Sequence, residues 1–285
     1  EALRPTPLGK EALRPTPLGK EALRPTPLGK EALRPTPLGK EAFRPTVPPP
    51  TWKALQPLIM SPGLRAPVAS SAIVPLGGAR FAAVGRMTAR TMGDKDAESG
   101  SQAGEYALVL VVVEPDGAAW KVAQQLRVFD FAVKDPCQSS TVPTRVTPGD
   151  FDHDSRPEIE LRIRASSSER AVGCVARSHL VLVDLHPAPR ILLVDSLDAK
   201  GVYVTTSVLR YEDLDGDGFP DLSITETTRR TGPGETDTKY DPAKRRYLYD
   251  PASDCYRSGG KLIRPKTPTF FKDANDPDWR DPNFR

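Results

Sequence analysis

Histidine and cysteine are scarce in this chain, and their scarcity removes much catalytic chemistry. Only His153, His179 and His186 are available for proton transfer or imidazole ligation, and the cysteines are Cys137, Cys174 and Cys255. No two cysteines form a C-x-x-C pair, so neither a zinc site nor a dithiol redox motif is expected. In an oxidising compartment two of them would pair and leave one over, and the spacing does not say which two; three reduced, buried thiols is the other reading. Also missing are a G-x-S-x-G nucleophile turn, an H-E-x-x-H zinc helix and a P-loop. No apolar run reaches the length of a membrane-spanning helix, and no long stretch carries the helical period of apolar residues.

Proline is the opposite case. There are 31 prolines and 21 glycines. Residues 1–40 are four identical copies of EALRPTPLGK, and a fifth unit, EAFRPTVPPP, decays into proline. Proline removes amide donors and restricts the residue before it to extended backbone, and so few apolar side chains per unit build no core. Residues 1–50 are expected to be extended or disordered, a tether rich in polyproline II. The plain reading is a passive spacer. The sharper one is a multivalent ligand whose partner grips LRPTPLGK several times. Each copy carries one Glu, one Arg and one Lys, so four copies supply +4 of a total of +3 and the remaining residues sum to −1. The basic character belongs to the repeats and gives no reason to expect nucleic-acid binding.

Residues 51–69, TWKALQPLIMSPGLRAPVA, read as a Pro-rich linker in which Trp52, Leu58, Ile59 and Met60 are able to dock on a domain. From residue 70 the pattern is that of strands. EYALVLVVV (105–113) and AAWKVAQQLRVFDF (118–131) flank EPDG. HLVLVDL (179–185) and RILLVDSL (190–197) flank HPAP, and RRYLYD (245–250) and CYRS (255–258) flank PASD. Apolar and β-branched runs separated by short turn-forming segments are hairpins. The expected fold is all-β over 70–262, made of antiparallel hairpins, propeller-blade-like or a sandwich, and large enough for a core. The tail, 263–285, is Pro-rich again and carries Phe270, Phe271, Trp279 and Phe284. It either packs over its own domain or serves as a docking peptide.

The most informative stretch is YEDLDGDGFPDLSI, residues 211–224. Carboxylates this close repel one another unless a cation sits among them. Calcium takes six to eight oxygen ligands, and a D-x-D-x-D-G-x-x-D loop offers them in sequence. Asp213, Asp215 and Asp217 fill positions one, three and five, the carbonyl of Phe219 position seven and Asp221 position nine. Gly218 permits the sharp turn at position six. Position twelve is Ile224 rather than the bidentate Glu of an EF-hand, and the alternating LSITETT that follows leads into a strand, not a helix. A second copy lies upstream in GDFDHDSRPEIELRI (149–163). There Asp150, Asp152 and Asp154 fill positions one, three and five, the Arg156 carbonyl position seven and Glu158 position nine. Ser155 stands where the glycine should, and His153 and Arg156 add positive charge nearby. Without metal, either stretch is an acidic turn between two strands.

DFDHDSRPEIEL and DLDGDGFPDLSI resemble the calcium loops of FG-GAP repeats, found in integrin alpha-subunit propellers and in many secreted bacterial proteins. The resemblance covers residues 104–260, and its specific part is the two Asp loops, which start 63 residues apart. It implies loops carried on β-hairpins within units of about sixty residues, with Ca2+ as the bound ion. The chain departs from the family in having two loops, about three units, and no clear F-G or G-A-P residues. With these departures, the alternatives are a partial propeller, a β-sandwich bearing the hairpins, or a ring completed by oligomerisation. The functional expectation is a non-enzymatic, exported binding or adhesion protein, periplasmic, cell-surface or secreted. Its partner would be a protein or glycan of the cell envelope, held by a calcium-stabilised domain on a repeat tether. Two alternatives are a structural subunit docking through its repeats and tail, and a secreted hydrolase whose site the motifs do not reveal.

Overall fold

A computed structural model describes residues 38–59, 67–91, 104–133, 142–169, 173–200, 203–230, 238–265 and 269–270, all within one unit, Pro35–Arg285. The repeats before residue 38, Met60, Cys137 and the tail beyond Phe270 lie outside the described residues.

Three antiparallel meanders account for nearly all of the described strands. The first is β1 (Pro67–Gly77), β2 (Arg80–Thr91), β3 (Gly104–Asp116) and β4 (Ala119–Val133). The second is β5 (Val142–Gly149), β6 (Glu158–Glu169), β7 (Gly173–Asp184) and β8 (Arg190–Lys200). The third runs β9 (Tyr203–Glu212), β10 (Asp221–Arg230), β12 (Ala243–Asp250), β13 (Cys255–Ser258) and β14 (Lys261–Leu262), with the two-residue β11 (Thr238–Lys239) also on β10. The hairpins expected around EPDG, HPAP and PASD are β3–β4, β7–β8 and β12–β13. Among the described residues β8 and β9 pair only at Ala199–Thr205 and Lys200–Val204, so the second and third meanders join at one corner. A short β15 (Thr269–Phe270) returns to run parallel to β4.

The alternation of side chains along each strand explains the layering. On β3, Leu108, Leu110 and Val112 face the second meander, meeting Ile159, Leu161, Val181 and Val183. Its other face, Val109, Val111 and Val113, is covered by Leu55 and Ile59. The second meander is buried on both sides: Leu180, Leu182 and Leu193 pack against Leu222, Ile224, Tyr247 and Tyr256 of the third. Near-continuous apolar runs such as ALVLVVV and HLVLVDL are what a two-sided burial requires. The all-β expectation is met. Among the described residues, however, the sheets neither close nor take a propeller's arrangement.

The chain before the first strand belongs to the core more than its proline content suggests. A single helical turn, α1 (Trp52–Leu55), is capped by Thr51, whose hydroxyl accepts from the Ala54 amide. It delivers Trp52 onto β2 at Gly85, where a Cβ would lie 2.3 Å from the indole ring. Glycine in mid-strand is therefore a seat for Trp52. The middle of the fifth repeat unit is also docked: Thr46 donates its amide to the Gly78 carbonyl at 2.6 Å, and Pro45 bridges Gly78.

The join between the second and third meanders is polar as well as apolar. Arg245 on β12 reaches Asp195 (2.9 Å) and Glu226 (2.7 Å) and donates to the Ser196 carbonyl (2.7 Å). The Tyr247 hydroxyl donates to the same Asp195 at 2.6 Å, and the Tyr211 hydroxyl donates to Glu160 at 2.8 Å.

Candidate metal centre

Both Asp loops occupy the same place in their hairpins, between β5 and β6 and between β9 and β10. In each, the carboxylate at position nine begins the second strand and turns back to accept the backbone amide of position two. Glu158 accepts from Phe151, and Asp221 accepts from Leu214 at 2.8 Å. The aspartates accept amides two to five residues ahead: Asp154 to Asp152 (3.0 Å), Arg156 to Asp154 (2.8 Å), Gly216 to Asp213 (2.7 Å) and Gly218 to Asp213 (2.9 Å). These Asx turns fold the chain so that the side chains converge.

The backbone matches as well. Positions four and six are left-handed in both loops: φ is 79° at Gly216 and 94° at Gly218, and 60° at His153 and 68° at Ser155. The upstream loop thus takes the glycine conformation with side chains that resist it. Ser155→Gly is expected to stabilise the fold by about 1 kcal/mol, which is about 2–4 °C in Tm for a domain of this size. Scanning calorimetry would read it; a lowered Tm would mean that the serine side chain holds the loop in some other way.

Asp150, Asp152, Asp154 and Glu158 each bring an oxygen within 4.8 Å of the others. Asp213, Asp215 and Asp221 do the same; Asp217 lies outside that convergent set, its Oδ1 accepting from the Phe219 amide at 2.8 Å. The upstream cluster is the more enclosed, with Asp152 2% and Glu158 1% exposed. Burial first and Asp154 second push Asp152 up to about 7. Burial and then Asp152 push Glu158 up to about 10. Burial also raises Asp154, Asp217 and Asp221. Arg156 meets Asp154 at 3.4 Å from an exposed position, and Asp150 Oδ1 is buried with no hydrogen-bond partner. A set of carboxylate oxygens with an orphaned buried oxygen among them suits a hard, oxygen-seeking divalent cation.

Sequence reasoning missed what lies between the loops. Tyr249 donates its amide to Asp221 at 2.7 Å and its hydroxyl to Asp254 at 2.8 Å, and its hydroxyl also faces Asp152. Tyr256 is fully buried beside it, with Asp152, Glu158 and Asp221 all near enough to raise its hydroxyl further after burial has done so. The alternation in RRYLYD was visible in the sequence, but it marks a strand and not a contact between two loops.

The remaining reactive groups are arranged otherwise. His179 is 1% exposed on β7, with Nδ1 3.3 Å from Ser196 Oγ and its ring against Phe129. Burial lowers its pKa to about 3. A neutral imidazole sealed in the core offers no base to a substrate. Cys255 is a half-buried free thiol. Comparison with family models, with curated proteins and with solved structures returns no match to this chain.

Proposed function

We propose that this chain is a non-enzymatic, exported binding protein whose β domain is held together by Ca2+ at the two hairpin loops. Asp150, Asp152, Asp154 and Glu158 would hold one ion and Asp213, Asp215 and Asp221 the other, with the Arg156 and Phe219 carbonyls as further oxygen donors. The observation that carries the reading is the repeated geometry: two loops with the same left-handed positions and the same position-nine turn-back. The ion's role is structural. It cancels repulsion among buried carboxylates and so ties each loop to the strand that follows it. The Pro-rich repeats would tether the domain at the cell envelope.

Melting the full chain in calcium and in chelator tests this. An ion present at about a hundred times its Kd adds about 2.7 kcal/mol per site, which is about 5–10 °C in Tm. Asp150→Asn/Asp213→Asn is expected to abolish the rise. A Tm unaffected by calcium would leave the loops as acidic turns.

A further inference from the structure

We propose that the outer face of the third meander is the binding surface of the domain and that its ligand is an anionic polysaccharide. This deepens the reading as a binding protein by naming the ligand's chemistry. Side chains of β9, β10 and β12 that point away from the core form straight rows across the strands. Arg210, Ser223 and Arg246 stand in one row; Val208, Thr225 and Lys244 stand in the next; Thr206 and Thr227 follow, then Val204 and Arg229. Arg210, Lys244, Arg246 and Arg229 are exposed, and none meets a carboxylate within ion-pair distance among the described residues. The acid at the loop end of the face, Glu212, accepts from Ser223 at 3.1 Å. Arg210 and Arg246 lie two strand spacings apart, about 10 Å, with a hydroxyl between them.

The composition of the face selects among anions. Protein interfaces centre on aromatic or aliphatic anchors in pockets, and the large exposed apolar residue here is Val208 alone, 55% exposed. Single-stranded nucleic acid is held by aromatic stacking, and no aromatic side chain stands in these rows. Duplex recognition needs an element that enters a groove, whereas these cations stand in rows across three paired strands of a sheet. A second copy of the chain would set cation against cation. Cations interleaved with Ser and Thr hydroxyls instead match a chain that carries sulfate or carboxylate groups among sugar hydroxyls.

The test is a titration of the full chain with heparin and with polygalacturonate, beside neutral dextran, polyglutamate and duplex DNA, at about 0.15 M salt. Saturable binding to a polysaccharide is expected, about tenfold tighter than to polyglutamate or DNA. Heparin against polygalacturonate separates sulfate from carboxylate as the recognised group. Arg210→Gln/Lys244→Gln/Arg246→Gln should weaken binding about tenfold or more. Ser223→Ala/Thr225→Val keeps the charge and should weaken the polysaccharide without weakening polyglutamate. Absence of polysaccharide binding, equal affinity for polyglutamate or DNA, or an undiminished triple variant would overturn the proposal. The triple variant should keep its calcium-dependent melt, so the metal sites and the face are judged separately.

Discussion

Stripped of divalent cations, the protein is expected to lose stability steeply as pH rises from about 5 to about 7. Glu158 and Asp152 are the cause. Both carboxyls are raised in the folded chain, to about 10 and about 7, whereas in the unfolded chain they titrate near 4. The folded chain therefore holds protons that the unfolded chain has released. Their stabilising contribution is complete below about pH 4 and is lost as pH climbs toward the folded values. While both groups differ in this way the slope is about 2.8 kcal/mol per pH unit, enough to lower Tm on the order of 10 °C. Calcium competes with those protons, so its rescue should be small at pH 5 and large at pH 8. Melts across pH in chelator and in calcium measure both. A cation-free Tm that rises through this range would contradict the burial of these two groups. Glu158→Gln should flatten the slope, since an amide has no proton to lose.

Arg245→Ala is the second large effect. Its guanidinium serves Asp195, Glu226 and the Ser196 carbonyl across the join between two meanders. Truncation leaves two largely enclosed carboxylates facing each other without a cation, a situation that costs about 3 kcal/mol or more. The Tm should fall about 6–12 °C. Arg245→Lys should recover part of the charge but not the three-way geometry, because an ammonium cannot reproduce a planar fork. Adding Asp195→Asn to Arg245→Ala should restore part of the loss, and denaturant unfolding of the four proteins closes the cycle. A loss under 1 kcal/mol would show that the apolar contacts of Leu180, Leu182 and Tyr247 hold the join by themselves.

What could be read from the sequence was what is local. Hairpins around EPDG, HPAP and PASD follow from turn chemistry and alternation, and the Asp loops follow from spacing within nine residues. The upstream loop looked the poorer because Ser155 replaces a glycine. Yet its carboxylates are the more buried set, and burial is a tertiary property: Tyr249 and Tyr256, which lie against Asp152, arrive from strands much later in the chain. Asp217 fits the spacing but turns to its own Asx bond. The Pro-rich linker was expected to dock through Trp52, Leu58, Ile59 and Met60; Ile59 is a core residue, and so is Leu55, which the sequence did not single out. Proline count reports on backbone freedom and says little of which side chains find a surface to cover, here the β2–β3 face left open by the meander.

The most direct measurement is calorimetric titration of the chelator-stripped full chain with CaCl2, repeated with Asp152→Asn and with Asp213→Asn. Saturable binding of two ions per chain is expected, and of one ion per chain in each variant. Absence of saturable binding, or a stoichiometry that neither substitution changes, would contradict calcium at the two loops.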